Sequence, residues 1–176
     1  MLPANSSSFA LTTAVRVLRV LVVLNWLSGL AIFILLVAMF VAGEWTMRAL
    51  GIPPGDEIRS MIGPLRTIAA LGVLAVPIND VVLRRLLAIV ASVRGGNPFV
   101  AGNATRLRTI AWALLAVQVI SLVIGGIGAA VSNAQHPLHL DAGFSMSGWL
   151  AVLLTFILAR VFAEGTSLRD DLEGTI

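Results

Sequence analysis

The chain has 176 residues, 58% of them hydrophobic and 12% charged, where a typical soluble domain carries roughly 25% charged residues. A single soluble domain with a mean hydropathy of +0.96 could not hide so much apolar surface, so lipid is the expected solvent. All 12 basic residues are Arg, the net charge is +3 and there is no Cys; Arg scattered along the chain argues against a nucleic-acid face, and disulfides, thiolate metal sites and a Cys nucleophile are excluded.

The elements are predicted in chain order as follows. Residues 1–13 (MLPANSSSFALTT) read as a short polar lead with no lipidation signal. Arg16 and Arg19 then share one helix face, turned toward lipid headgroups. The first apolar span covers 20–43. Its end, Val41-Ala42-Gly43, resembles a cleavage site, but a signal h-region runs only about 7–15 residues, so the span reads as an uncleaved helix. Gly51 to Asp56, with Pro53 and Pro54, reads as a rigid turn.

The second span covers 64–83, and Pro77 within it frees a backbone carbonyl. Leu83, Leu86, Leu87, Ile89, Val90 and Val93 keep helical spacing, so this helix is expected to run on over the inner membrane surface. It stops at the breaker Gly95-Gly96-Asn97-Pro98. Asn103 reads as the N-cap of the next helix, which carries Arg106 and Arg108 into a third span, 109–132. Gln118, Ser121, Gly125, Gly128 and Ser132 share one face of that span. Small residues there, and Asn25, Ser28 and Gly29 on the first span, predict close helix-to-helix packing of these two faces. The fourth span covers 147–166, and the C-terminal stretch after it reads as a solvated tail. Asp170, Asp171 and Glu173 of that tail could face the basic residues near 84–108.

The expected fold class is all-α: one polytopic four-helix membrane domain over 1–176, with a helical hairpin between helices two and three. Roughly 20 apolar residues cross a ~30 Å hydrocarbon layer, and helices satisfy their own backbone groups there. With both termini inside, nine Arg face the cytoplasm and three (Arg48, Arg59, Arg66) face out, which predicts an N-in/C-in topology and a cytoplasmic hairpin. Trp26 and Trp112 near the inner ends, and Trp45 and Trp149 near the outer ends, fit two aromatic belts.

Few residues suggest chemistry. Asp80 and Arg160 are expected at similar depth and form a candidate intramembrane pair. Asp80 can instead pair with Arg84 at i+4 while Arg160 snorkels to the headgroups. His136, His139 and Asp141 are metal-ligand types in a short loop, but a zinc site needs three or four ligands in fixed geometry and no fourth is near. No Ser-His-Asp set, phosphate-binding loop or dinucleotide fingerprint occurs. No catalytic residue, metal or cofactor is expected, and the chain does not read as an enzyme.

The hairpin region carries a resemblance. Arg94-Gly95-Gly96-Asn97-Pro98-Phe99-Val100, then Asn103 and Arg106-Leu107-Arg108-x-Ile110-Ala111-Trp112, resembles the signature of bacterial membrane proteins known as domain of unknown function 2975. The ending Val161-Phe162-x-Glu164-Gly165-x-x-Leu168-Arg169-x-Asp171, followed by Thr175-Ile176, is similar to that family's C-terminus. The match covers helices two to four and the tail; helix one and the outer loops agree in kind. The resemblance implies a four-helix protein of the bacterial cytoplasmic membrane with no assigned activity. It also implies a partner, because such proteins are often encoded beside a small helix-turn-helix regulator.

Two functional readings follow. In the first, the chain is the membrane component of a sensing or regulatory pair. Arg94, Gly96, Pro98, Phe99, Asn103, Arg106 and Arg108 then form a docking loop for a cytoplasmic partner; the alternative for these Arg residues is anchorage on anionic lipid. In the second, the chain is a small transporter, channel or immunity-type protein, with homo-oligomers expected. Direct nucleic-acid binding is expected in neither.

Overall fold

The protein was analysed as a computed structural model that describes residues 4–49, 51, 56–96, 100–132 and 142–173. These form five helices: α1 (Ala4–Val41), α2 (Gly43–Ala49), α3 (Asp56–Arg94), α4 (Ala101–Val131) and α5 (Met146–Glu173). No strand occurs among the described residues. Four of the helices contain stretches long and apolar enough to cross a membrane: Phe9–Val41, Met61–Arg94, Gly102–Val131 and Met146–Leu168. The chain is thus an all-α, multi-pass membrane protein. Its large apolar side chains agree, because many point outward, among them Leu30, Phe33, Ile34, Leu153 and Ile157, each at least half exposed. Such a surface is stable only where the solvent is itself apolar.

Three element boundaries differ from expectation. Residues 4–13 belong to α1, so most of the polar lead is helical. Three successive serines there cost little helix propensity, and winding them satisfies backbone groups that would otherwise need water. The stretch after α1 forms α2, a 7-residue helix with Thr46 and Met47 buried. The C-terminal stretch continues α5 to Glu173 instead of leaving it as a tail. By contrast, α3 runs unbroken from Asp56 to Arg94 through Pro64 and Pro77, as the apolar spacing past residue 83 predicts.

The chain divides into two compact units. One comprises residues 25–77 and 117–145. Its core is a methionine cluster, Met39, Met47 and Met61, bordered by Leu35, Ile62, Leu65 and Val131. Unbranched thioethers fill irregular gaps, which suits the place where α1 ends and α2 turns away. Arg66 reaches this point from α3. Its Nη2 donates to the Met39 carbonyl, one of the last carbonyls of α1, and its guanidinium stacks 4.4 Å from the Phe40 ring centroid. A cation at the negative end of a helix dipole is favourable.

In the same unit the small-residue faces find partners other than each other. On α1, a Cβ built on Gly29 would lie 2.8 Å from both Val76 methyl groups. Asn25 Nδ2 donates to the Val76 carbonyl at 3.0 Å, so this stripe seats against α3. On α4, a Cβ on Gly125 would lie 2.5 Å from Gly143 Cα and 2.8 Å from the Ala142 carbonyl. The Gly143 N–H donates to Ser121 Oγ at 3.2 Å. The Ser121/Gly125 face therefore receives the backbone that leads into α5, not a helix. Gly143 has φ +129, a conformation that side-chain-bearing residues rarely adopt. The expected pairing of the two faces is corrected accordingly: close backbone approach was rightly expected from the small residues, but its partners are Val76 and the 142–143 segment.

The other unit comprises residues 1–24, 78–116 and 146–176. It buries Leu107, Ile110, Ala111 and Ala113 of α4 with Val152, Ala159 and Thr166 of α5. Trp112 and Phe156 meet edge to face at 5.4 Å, a favoured geometry for aromatic pairs.

Candidate functional site

The α3–α4 junction is built within this second unit. The last turn of α3 closes on Gly95 and Gly96, whose N–H groups donate to the Ala91 and Val93 carbonyls, both at 3.1 Å. Gly96 has φ +80, so it supplies the left-handed residue that ends a helix cleanly. The chain then enters α4 at Ala101.

Asn103 organises this end of the hairpin. It lies inside the first turn of α4 and is fully buried, at 0% exposure. It is therefore not the N-cap; its own N–H donates to the Val100 carbonyl at 2.7 Å. Its side chain instead crosses to α3, where Nδ2 donates to Ser92 Oγ at 2.7 Å. The Ser92 hydroxyl in turn donates to the Ile89 carbonyl at 2.7 Å. Asn103 Oδ1 accepts from Arg106 Nη1 at 2.8 Å, and Arg106 Nη1 also approaches the Ala88 carbonyl at 3.4 Å. A buried amide satisfied at both ends rigidifies the elements it joins.

Of the candidate docking residues, the structure brings Asn103 and Arg106 together and places Gly96 at the turn. Arg94 and Arg108 are exposed and stand apart from this network. Pro98 and Phe99 lie outside the described residues, as do His136, His139 and Asp141. Ser92 is the member that sequence reasoning missed. Its signal was a polar residue on the face shared with Ala88, four residues earlier, but a contact across the turn is not readable from periodicity.

Asp80 and Arg160 are each tied to their own helix, which replaces the interhelical pair with two i,i+4 pairs. Arg84 Nε donates to Asp80 Oδ2 at 2.6 Å, with the Asp80 side chain only 13% exposed. Arg160 Nε donates to Glu164 Oε1 at 2.8 Å. One helical turn offers a partner with no loss of packing, so it wins over a reach between helices.

Among the described residues, no group of three His, Asp or Glu side chains could hold a metal ion. What the junction offers is hydrogen-bond donors and fixed positive charge.

Comparison with curated proteins and with solved structures finds no match. The family described as "Protein of unknown function (DUF2975)" matches residues 19–176. That range takes in α3, α4, α5 and all of α1 beyond its first turns, together with the whole Asn103 network, and the chain belongs to this family.

Proposed function

We propose that this protein is the non-catalytic membrane component of a sensing or regulatory pair, resident in a bacterial cytoplasmic membrane with both termini inside. The observation that carries the reading is the Asn103–Ser92–Arg106 network, which holds the end of the α3–α4 hairpin in one geometry. A helical turn that served only as a connection would need no buried amide, since an apolar residue there costs less to bury. The network fixes the ends of a loop whose sequence joins apolar Phe99 and Val100 to Arg94 and Arg108. Apolar anchors beside guanidinium groups are a composition suited to protein recognition. The cytoplasmic side for this loop follows from nine Arg against three. The partner that the family resemblance implies is a small cytoplasmic helix-turn-helix regulator.

The test is affinity capture of tagged full-length protein from native membranes, with partners identified by mass spectrometry. A helix-turn-helix protein recovered with the wild type and lost with Phe99→Ala, while the variant stays inserted, supports the reading. Undiminished recovery with Phe99→Ala would remove Phe99 from it. Capture of further copies of this chain alone would favour a homo-oligomeric transporter or channel.

A further inference from the structure

A second feature of the same unit shares only Arg108 with that reading and does not depend on it. Between the first turns of α4 and the middle of α5 lies a groove of about 390 Å³, with Thr105 and Arg108 on one wall and Phe156, Ala159, Arg160 and Ala163 on the other. From this geometry we infer that the groove is a binding site for the phosphodiester headgroup of an anionic phospholipid.

Charge is the first argument. Two guanidinium groups line the groove, and no carboxylate does among its described lining residues. Glu164 engages Arg160 through Nε, which steers the guanidinium and leaves its terminal nitrogens for another acceptor. Two Arg against one Glu leave one positive charge. A phosphodiester carries a single negative charge and neutralises the site, whereas a zwitterionic lipid adds no net charge. The planar guanidinium fork also matches phosphate oxygens in a two-point contact, and the Thr105 hydroxyl adds a donor.

Position is the second argument. Arg108 lies near the start of the stretch Gly102–Val131, and Arg160 lies within the stretch Met146–Leu168, both apolar enough to cross a membrane. Charges at such a depth are costly unless they meet a counter-charge. Ala159 and Ala163 keep the floor low enough to admit a headgroup. Below them Phe156 packs against the half-exposed Trp112, an aromatic pair against which the upper part of an acyl chain can lie. A groove with a cationic mouth and an apolar, aromatic floor fits a lipid better than a free ion.

The experiment uses the full chain, purified in neutral detergent and stripped of lipid. Binding of phosphatidylglycerol and phosphatidylcholine is measured by native mass spectrometry and by the shift in melting temperature. The expected result is selective retention of phosphatidylglycerol, about tenfold weaker in Arg108→Gln or Arg160→Gln and lost in the double variant. Arg85→Gln, an exposed Arg outside the groove, should bind as the wild type does. Ala163→Trp fills the groove and keeps both Arg residues, so it decides the matter if the double variant does not fold: lost selectivity supports the site and retained selectivity overturns it. Equal binding of the two lipids by the wild type would also overturn it. A melting shift reproduced by inorganic phosphate, or phosphatidylglycerol displaced by it, would make the groove a free-anion site and refute the lipid assignment.

Discussion

Asn103 shows how one side chain can decide a junction. Its amide bonds to Ser92 and Arg106, so removing it takes one hydrogen bond from the half-buried Ser92 hydroxyl and one from the Arg106 guanidinium. Asn103→Ala should lower stability by about 1–3 kcal/mol, the usual net worth of two hydrogen bonds, measured as thermal unfolding in detergent. Asn103→Asp tests the direction of the bonds, because a carboxylate still accepts from Arg106 but cannot donate to Ser92. It should be less damaging than Ala if Arg106 dominates. The sequence marked Asn103 as a helix-start residue, since Asn is common there. Its burial was invisible because that depends on Ser92, eleven positions earlier and across a turn. Arg66 was equally opaque. Charge counting treats it as one outer Arg, whereas its guanidinium ends α1 at Met39 and Phe40.

At the scale of elements, the α4 glycines separate two roles that look alike in sequence. Gly125 faces the 142–143 backbone at a distance no Cβ tolerates, while Gly126 has open space around it. Gly125→Ala should therefore destabilise by about 1–3 kcal/mol through overpacking. Gly126→Ala should be neutral or stabilise by up to about 1 kcal/mol, the helix-propensity gain of Ala over Gly. Equal melting temperatures for the two variants would show that the Gly125 face is not closely packed. The four apolar spans and the continuation of α3 to Arg94 were legible, because hydrophobic runs and helical spacing are local signals. The short helix α2 was not, since its buried Thr46 and Met47 are fixed by the methionine cluster and not by any periodic pattern of their own. The helical character of residues 4–13 was missed because polar composition was read as absence of structure.

Across the whole molecule, the class of protein was readable from composition alone, because lipid as solvent leaves so few alternatives. The activity was not, because neither composition nor helical periodicity marks a binding or catalytic pattern. The proposed N-in/C-in topology predicts that a reporter active only in the cytoplasm is active when fused after Ile176, and that Cys introduced at Arg94 resists an impermeant reagent applied outside. The lengths of α1 and α3, 38 and 39 residues, correspond to about 57 Å of helix at about 1.5 Å per residue. That is nearly twice the ~30 Å of hydrocarbon, so the ends of both helices extend into the headgroup layers.

The Asp80–Arg84 pair has a consequence for how the protein is made. Both partners lie on α3, one turn apart, so the pair is complete as soon as that turn is wound. During synthesis the segment can leave the ribosome and partition into lipid with its carboxylate already neutralised. It need not wait for α4 or α5 to be translated, as a charge matched only across helices would. Arg160 and Glu164 repeat the arrangement on α5. Both of these carboxylates are thus matched within their own segment, and their insertion does not depend on a partner helix.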